Sequence, residues 1–262
     1  MITPSTLQRR EYKYLVSEDT VERIRRYIGG FCVIDAYAAA TSGRYITDTL
    51  YLDTPRLDSY AATIENAGDR YKLRIRSYPS AGAGGPVFFE VKRRVSESII
   101  KTRGSFAGDW PRLLDGDAAT IAQIAPKHRG AIDNFLCHHR YLPYRPTALV
   151  RYEREPYFSL VDDYARVTFD RSLAFQPAGE LSVLPAHDRW TYVDDAVSQR
   201  STYARHSVVL LELKFTSVVP HWMRRMVHTL DLQRLSFCKY TRAIDAMRAQ
   251  PSLRVARVGL RR

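Results

Sequence analysis

The first chemical pattern in this sequence is a glutamate and a lysine separated by one residue. The pattern occurs three times, in Glu11-Tyr12-Lys13, Glu90-Val91-Lys92 and Glu212-Leu213-Lys214. Each copy lies in a segment whose composition predicts a β-strand. Residues two apart in a strand share a face. Each copy therefore places a carboxylate beside an ammonium group, with the intervening residue on the other face.

Three further segments continue this alternation with an excess of basic residues. They are Lys72-x-Arg74-x-Arg76, Lys101-x-Arg103, and a strand that presents either Arg151 and Glu153 or the opposite set, Tyr152 and Arg154. Together these segments give one sheet face a strong excess of positive charge. A closed barrel with a polar interior would place that charge around an anion. An antiparallel sheet with one solvated face shows the same alternation. A solvated face would gain nothing from the repulsion between so many basic residues, so their repetition favours an enclosed anion.

Composition limits the class of protein. Of the 262 residues, 45% are hydrophobic and 26% are charged, close to the average for globular proteins. Lys and Arg number 40 against 28 Asp and Glu, and the net charge of +12 predicts an anionic partner. The three cysteines are widely spaced, which argues against a disulfide framework or a cysteine zinc site. No segment has the length and apolarity of a membrane span or a secretory signal, which predicts a cytoplasmic location.

Periodicity predicts the elements that would position these residues. Strands are predicted at Arg10–Val16, Tyr45–Asp53, Tyr71–Tyr78, Val87–Val95, Ser98–Phe106, Thr147–Tyr157, Ala165–Leu173 and Ser207–Phe215. Helices are predicted at about Ser17–Ile28, Thr54–Asn66, Trp110–Cys137 with a break at Pro126, Pro220–Leu230 and Lys239–Ala249. The order lacks strict strand-helix alternation, which indicates an α+β fold with a mostly antiparallel sheet. We expect one domain over residues 1–250 and a basic tail at 251–262.

A series of short motifs runs through the chain in a specific order. They are Glu11-Tyr12-Lys13-Tyr14, Thr49-Leu50-Tyr51-Leu52-Asp53-Thr54, Lys72-Leu73-Arg74-Ile75-Arg76, Phe89-Glu90-Val91-Lys92, Lys101-x-Arg103-Gly104, Arg151-Tyr152-x-Arg154, Arg166-Val167-Thr168-Phe169-Asp170, Glu212-Leu213-Lys214-Phe215 and Cys238-Lys239-Tyr240. Their order and spacing resemble the VTC (vacuolar transporter chaperone) polyphosphate-polymerase domain of the triphosphate tunnel metalloenzyme superfamily. The resemblance covers nearly the whole chain, from about Arg9 to Ile244.

This resemblance implies an antiparallel eight-stranded closed β-barrel, the triphosphate tunnel, with surrounding helices. The tunnel would bind ATP and polyphosphate together with Mn²⁺ or Mg²⁺. The positions implied in phosphate binding and catalysis are Lys13, Arg74, Arg76, Lys92, Lys101, Tyr152, Arg154, Arg166 and Lys239. Their arginines, namely Arg74, Arg76, Arg154 and Arg166, would also bind the cofactor. The implied metal ligand is Glu212.

Two positions depart from the family pattern. The wider superfamily opens with Glu-x-Glu-x-Lys, whereas the first acidic position here is Arg9, which favours the VTC branch over the hydrolytic branch. VTC domains carry Lys-Phe-Ser-Lys near the end, whereas this chain has Ser236-Phe237-Cys238-Lys239. Arg234 is a candidate to replace the missing lysine charge. Cys238 is predicted to be a buried packing residue, because no neighbouring base is identified that would activate it as a nucleophile.

The predicted activity is that of a metal-dependent polyphosphate polymerase, which transfers the γ-phosphoryl group of ATP to a growing polyphosphate chain. Two alternatives are a tunnel triphosphatase acting on inorganic or nucleoside triphosphates and a non-catalytic polyphosphate-binding module. A nucleic-acid binder is disfavoured, because glutamates beside the lysines would repel a phosphate backbone. The expected partners are ATP and inorganic polyphosphate, with no specific nucleic acid and no membrane span. A membrane-protein partner is left open.

Overall fold

The computed structural model describes residues 10–82, 84–96, 98–162, 164–193, 209–216 and 218–249. Its strands are β1 (Arg10–Val16), β2 (Cys32–Ile34), β3 (Tyr45–Asp53), β4 (Asp69–Ser77), β5 (Val87–Val95), β6 (Ser98–Phe106), β7 (Arg145–Ser159), β8 (Arg166–Pro177), β9 (Thr191–Tyr192) and β10 (Val209–Phe215). Its α-helices are α1 (Glu18–Ile28), α2 (Ala36–Ala39), α3 (Asp58–Ile64), α4 (Pro111–Asp115), α5 (Ala118–Ala122), α6 (Pro126–Tyr141), α7 (His221–Thr229) and α8 (Lys239–Ala249).

All ten strands belong to one antiparallel sheet. Its main path is β1-β10-β8-β7-β3-β4-β5-β6, with β2 added beside β7 and β9 beside β8. In the described residues this path ends at β1 and β6, which do not pair with each other. The large antiparallel sheet is confirmed, whereas backbone pairing does not show the closed eight-stranded barrel. The sheet has two strands more than the eight that were predicted, β2 and β9. These strands are three and two residues long, too short to give a periodic signal.

Helices pack on the apolar outer face of the sheet. On β4 and β5, Leu73, Ile75 and Phe89 form a buried cluster with Leu113 of α4 and Phe135 of α6. A second cluster joins α1 and α7 to β1, β8 and β10. Helix α8 packs differently, because its Tyr240 stacks on Tyr51, 5.0 Å between ring centroids, in a third buried cluster. Tyr51 alternates with Leu50 and Leu52 of the first cluster, so α8 covers one end of the opposite face.

Helix α1 shows how the sequence specifies a local element. Ser17 Oγ accepts a hydrogen bond from the Thr20 backbone N–H (3.2 Å) and so caps the first turn. The first turn is acidic and the last turn is basic, which complements the helix dipole. Val21, Ile24 and Ile28 form the buried stripe. The helix therefore forms where the periodic pattern predicts it.

The predicted bounds agree with the structure for β1, β3, β5, β6 and α8. The helix predicted from Thr54 begins instead at Asp58, because Leu57 adopts a left-handed conformation (φ 62°) just before it. Pro126 starts α6 rather than interrupting a helix, since a proline is tolerated in a first turn. Residues 207–208 of the last predicted strand, Arg9 and the basic tail at 251–262 lie outside the described residues. Among the helices of the described segments, none has the length and apolarity needed to span a membrane.

Candidate phosphate-binding site

Strand alternation gathers the predicted site residues on one face of the sheet, which we call the charged face. Its strand residues include Glu11, Lys13, Lys72, Arg74, Arg76, Glu90, Lys92, Lys101, Arg103, Tyr152, Arg154, Arg166, Asp170, Glu212 and Lys214. Lys13 lies opposite Glu212 in register, and Arg74 lies opposite Glu90. Basic residues outnumber carboxylates in this set, so the face attracts anions.

The charged face is enclosed because the sheet curls. Five strands separate β1 from β5 along the sheet, yet Lys92 Nζ lies 3.3 Å from Glu11 Oε2. Lys13 Nζ donates a hydrogen bond to the carbonyl oxygen of Phe237 (2.7 Å), just before α8. The side chains of Arg154 and Arg74 are only 13% and 16% exposed. The alternative of a freely solvated face is therefore wrong.

One group of ions, which we call the Glu212 cluster, surrounds two buried carboxylates. The oxygens of Glu212 lie 2.9 Å from Lys239 Nζ, 3.8 Å from Lys13 Nζ, 3.0 Å from Arg154 Nη2 and 2.7 Å from Lys214 Nζ. Asp170 accepts two hydrogen bonds from Arg154, each 2.7 Å, and lies 2.6 Å from Lys239 Nζ. Burial alone would raise the pKa of Glu212, but the surrounding cations hold it well below its usual range. Both carboxylates are thus ionised at neutral pH.

A second group, the Glu90 cluster, has more cations for its single carboxylate. The side chain of Glu90 is 0% exposed, and its oxygens lie 2.6 Å from Arg74 Nε, 2.7 Å from Lys101 Nζ, 3.5 Å from Arg103 Nε and 3.7 Å from Arg76 Nη1. Burial would raise the pKa of Glu90, but these cations hold it well below its usual range. One carboxylate neutralises one positive charge, so the cluster keeps a positive excess.

The remaining predicted residues lie beside these clusters. The ring of Tyr152 is 4.6 Å from Lys239 Nζ and 5.1 Å from Arg154 Cζ, measured to the ring centroid. Arg166 lies opposite Lys214 in register and stacks on Phe158 at 4.1 Å. The structure therefore brings every predicted site residue onto the charged face or, for Lys239, to the start of α8 beside it. Their roles stay predictions.

Of the two expectations for the segment before α8, the one for Arg234 is wrong. Arg234 stacks on Tyr12 (3.8 Å to the ring centroid), and Tyr12 packs edge-on against Phe215 on the outer face of the sheet. Because Tyr12 alternates with the charged residues of β1, Arg234 does not supply the missing lysine charge. Cys238 is partly buried and packs against the third cluster, and it also lies close to Lys72 and Lys13. Burial would raise the pKa of Cys238, but Lys72 and Lys13 lower it to about 7.

Glu212 is the predicted ligand of a divalent cation, and few other carboxylates lie near it. Carboxylate oxygens are preferred ligands of Mg²⁺ and Mn²⁺. Glu11 is linked to Glu212 through Lys13, whose Nζ lies 3.2 Å from the former and 3.8 Å from the latter. In the part of the chain that the structure describes, no group of three or more His, Cys, Asp or Glu side chains could hold a metal ion. A cation held by Glu212 would therefore have to take most of its ligands from phosphate oxygens and water.

Four aromatic rings, which we call the aromatic group, lie next to the Glu90 cluster and contact Arg103. They are Tyr37, Tyr45, Tyr78 and Phe88, packed at 5.1 to 6.0 Å between neighbouring centroids. Arg103 Cζ lies 3.8 Å above the centroid of Phe88, and Arg103 Nη2 donates to the Tyr78 hydroxyl (3.1 Å). Tyr37 is 41% exposed. Aromatic surface thus adjoins the basic residues.

Sequence reasoning missed some members of the site. The motifs contain Asp170, Glu11 and Glu90 but assign them no role in the site, whereas in the structure these carboxylates are the counter-ions of the basic residues. Lys72 and Arg103 were part of the alternation but were not selected. Their strand positions, two residues from selected positions, were the available signal, because such residues share a face.

A curled antiparallel sheet that encloses a basic face is suited to a compact polyanion such as a chain of phosphates. The family model of the VTC domain matches residues 8–248. The chain therefore belongs to the VTC domain family, and the resemblance indicated by the motifs is confirmed. No curated protein matches the chain.

Several solved structures are similar to this fold. A candidate adenylate cyclase from Bacillus halodurans shares 12% identity, with a TM-score of 0.47, and the match covers 88% of this chain and 96% of that one. A candidate adenylyl cyclase from Hippeastrum, for which a dominant triphosphatase activity is described, shares 12% identity over 92% and 96% of the two chains, with a TM-score of 0.48. A protein from Pyrococcus horikoshii shares 12% identity over 96% and 99% of the two chains, with a TM-score of 0.43.

Proposed function

We propose that this protein is a metal-dependent polyphosphate polymerase, which transfers the γ-phosphoryl group of ATP to the end of a growing polyphosphate chain. The observation that supports the proposal most is the enclosed charged face in a chain of the VTC domain family. In this proposal the curled sheet forms the wall of an eight-stranded tunnel, in which β1 and β6 are the adjoining edges.

The reaction balances without a covalent intermediate on the protein. A terminal oxygen of the polyphosphate chain attacks the γ-phosphorus of ATP and forms a new P–O bond. The bond from the γ-phosphorus to the β–γ bridging oxygen breaks, and ADP leaves with that oxygen. Such a transfer depends mainly on positioning and on neutralisation of charge. A rigid basic wall supplies both.

The basic residues of the two clusters would bind the phosphates. ATP carries about four negative charges, and an arginine can hold two phosphate oxygens at once and stays charged when buried. The residues proposed for this role are Lys13, Arg74, Arg76, Lys92, Lys101, Arg154, Arg166 and Lys239, with Tyr152 beside them. In the free protein Glu90 and Glu212 already hold several of these side chains in place. Phosphate oxygens would therefore meet cations that need little reordering.

Glu212 would hold the divalent cation. A bound Mn²⁺ or Mg²⁺ neutralises charge on the phosphate oxygens. Lys214 and Lys13, which are the more exposed cations around Glu212, would turn from the carboxylate toward the phosphates. The protein's own part in the reaction is thus to orient two phosphate chains and to exclude water from the enclosed face.

One observation favours a second candidate, a tunnel triphosphatase. Ser236, which is exposed, stands where VTC domains carry the first lysine of Lys-Phe-Ser-Lys. Arg234 lies on the outer face and does not replace that charge. A weaker hold on the accepting phosphate chain would let water compete for the γ-phosphoryl group. The expected product would then be orthophosphate.

Purified protein incubated with ATP and Mn²⁺ tests the proposal. We expect ADP release and a ladder of polyphosphate on a gel, both abolished when Mn²⁺ is chelated. Orthophosphate release without polymer would establish the triphosphatase instead. Tight polyphosphate binding without turnover in Mn²⁺ or Mg²⁺ would overturn both enzymatic proposals and leave a binding module.

A further inference from the structure

Three lysines form a row across the sheet, which we call the lysine row. Lys72 of β4 lies directly opposite Lys92 of β5, and Lys92 lies directly opposite Lys101 of β6. Side chains at such positions are about 5 Å apart at Cβ, and like charges placed there destabilise a sheet. In the next row Glu90 separates Arg74 from Arg103. The lysine row has no carboxylate of its own.

The three lysines differ in what neutralises them. Lys101 contacts Glu90 (2.7 Å), and Lys92 contacts Glu11 (3.3 Å) from β1. The charged groups that act most strongly on Lys72 are Cys238 before α8, Lys92 on β5, Arg70 on its own strand and Lys13 on β1. Apart from the Cys238 thiol, all of them are basic. Among the described residues, no carboxylate forms an ion pair with Lys72.

We propose that Lys72 is a further phosphate-binding residue, which extends the site along the lysine row toward Cys238 and binds a phosphate group of the polyphosphate chain. This proposal rests on the proposed function, because it assigns the ligand of the same face. An anion at this position would lie near Lys72, Lys92 and Lys13, the lysines whose charges act on one another and on Cys238, and would reduce their repulsion. The like-charge row is thus incomplete without its ligand.

The ionisation of Lys72 gives the proposal a specific signature. Burial lowers the pKa of Lys72 to about 8, with Lys92 and Arg70 adding to the decrease and Cys238 opposing it. A bound phosphate stabilises the ammonium form and raises that pKa. The complex therefore holds a proton that the free protein has lost above about pH 8. By linkage, the contribution of Lys72 to phosphate affinity falls as the pH rises above about 8.

The test is calorimetric titration with inorganic tripolyphosphate at pH 7 and pH 9. All variants are made in a Cys238→Ala background, because the Cys238 thiol also titrates in this range. This change also removes the charge that raises the pKa of Lys72, so the loss of the ammonium form begins below pH 8 in this background. Lys72→Met should weaken binding about tenfold at pH 7, as expected for one lost charge-assisted contact. Lys72→Arg should bind as tightly as its parent at pH 7 and more tightly at pH 9, since arginine stays charged. Because each variant is compared with its parent at the same pH, the ionisation of tripolyphosphate affects both proteins equally.

The matched control is Arg93→Met, which removes one positive charge from β5 on the outer face, where Arg93 pairs with Asp69 (2.6 Å). It should leave tripolyphosphate affinity within about twofold. Equal affinities of Lys72→Met and its parent, or equal losses in Lys72→Met and Lys72→Arg with lower melting temperatures in both, would overturn the assignment of Lys72. If the parent itself binds no tripolyphosphate, the proposed function fails and this inference fails with it.

Discussion

The Glu212 cluster and the lysine row lie on the same charged face and balance their charges in different ways. In the Glu212 cluster, each of the cations contacts Glu212 or Asp170. In the lysine row, Lys92 and Lys101 contact one carboxylate each, and Lys72 has none among the described residues. The protein's own charges therefore hold the first region in place, whereas the second has positive charge that only an added anion can balance.

This difference separates two tasks of one binding surface. A buried ion pair contributes little net stability, but its geometry is fixed, because breaking it leaves a charge without a partner. The Glu212 cluster can thus hold Arg154 and Lys239 in place before any ligand arrives. Unbalanced lysines lower the stability of the free protein and strengthen the binding of a polyanion. The charged face is thus pre-organised at the Glu212 cluster, whereas the lysine row becomes balanced only when an anion binds.

The largest effect should come from Glu212→Gln, which leaves the cations of its cluster without their shared counter-ion. We expect turnover to fall by more than about a hundredfold through loss of the metal ligand. The free energy of unfolding should fall by about 3 kcal/mol, the usual result of breaking a buried ion pair. ADP release and thermal denaturation measure the two effects. The control Glu153→Gln removes a carboxylate that is 37% exposed and pairs with Arg44; equal destabilisation by the two variants would contradict the pre-organised role of Glu212.

The second prediction compares two arginines that each pair with a buried carboxylate on opposite faces of the sheet. Arg74 pairs with Glu90 on the charged face, and Arg151 makes two hydrogen bonds to Asp48 on the other face. Arg74→Ala should lower turnover about a hundredfold, as expected for the loss of one transition-state contact. Arg151→Ala should destabilise the fold and leave turnover within about twofold once the protein is kept folded. Similar turnover in both variants would mean that Arg74 has only a structural role.

The third prediction concerns the free protein at alkaline pH. Lys72 has an ordinary pKa of 10.5 and a pKa of about 8 in the fold. Between those values the unfolded chain binds a proton that the folded chain has released, so the free energy of unfolding rises with pH. Over the two pH units from 7.5 to 9.5 this linkage amounts to about 2 kcal/mol, so in the Cys238→Ala background we expect the melting temperature to rise by roughly 4–8 °C. Lys72→Met should show a smaller rise, because Lys92 and Lys101, whose pKa values are also lowered in the fold, titrate in both proteins. A rise of equal size in both proteins would show that Lys72 is not the group that titrates.

Much of this architecture follows from strand periodicity. The alternation in Lys72-x-Arg74-x-Arg76 and the Glu-x-Lys pairs is enough to predict a shared charged face. The sequence could not show which cations are balanced, because Glu11 reaches Lys92 only through the curl of the sheet. The position of Arg234 on the outer face depends on how the chain reaches α8, and no local pattern encodes that path. Short elements such as β2 lie below the length at which a period can be recognised.

The aromatic group offers a third region to compare, because it adjoins the Glu90 cluster and carries almost no charge of its own. Arg103 contacts both Glu90 and the ring of Phe88. A nucleoside triphosphate whose phosphates lie on the Glu90 cluster would bring its base toward Tyr37 and Tyr78. Inorganic tripolyphosphate has no group that could use these rings. The aromatic group should therefore distinguish ATP from inorganic phosphate chains.

The smallest expected effect tests this distinction with Tyr37→Leu, which keeps an apolar contact with Tyr45 and Tyr78 but removes the exposed ring. Stacking of a base on an aromatic side chain contributes about 1–3 kcal/mol, and Tyr37 is one of several rings. We therefore expect the Kd for ATP to rise about fivefold while the Kd for tripolyphosphate stays within about twofold, both measured by calorimetry. Tyr141→Leu, at a fully exposed tyrosine at the end of α6 (84%), should change neither value. If Tyr37→Leu weakened the binding of ATP and of tripolyphosphate equally, the ring would support the fold of the charged face and would not contact the base.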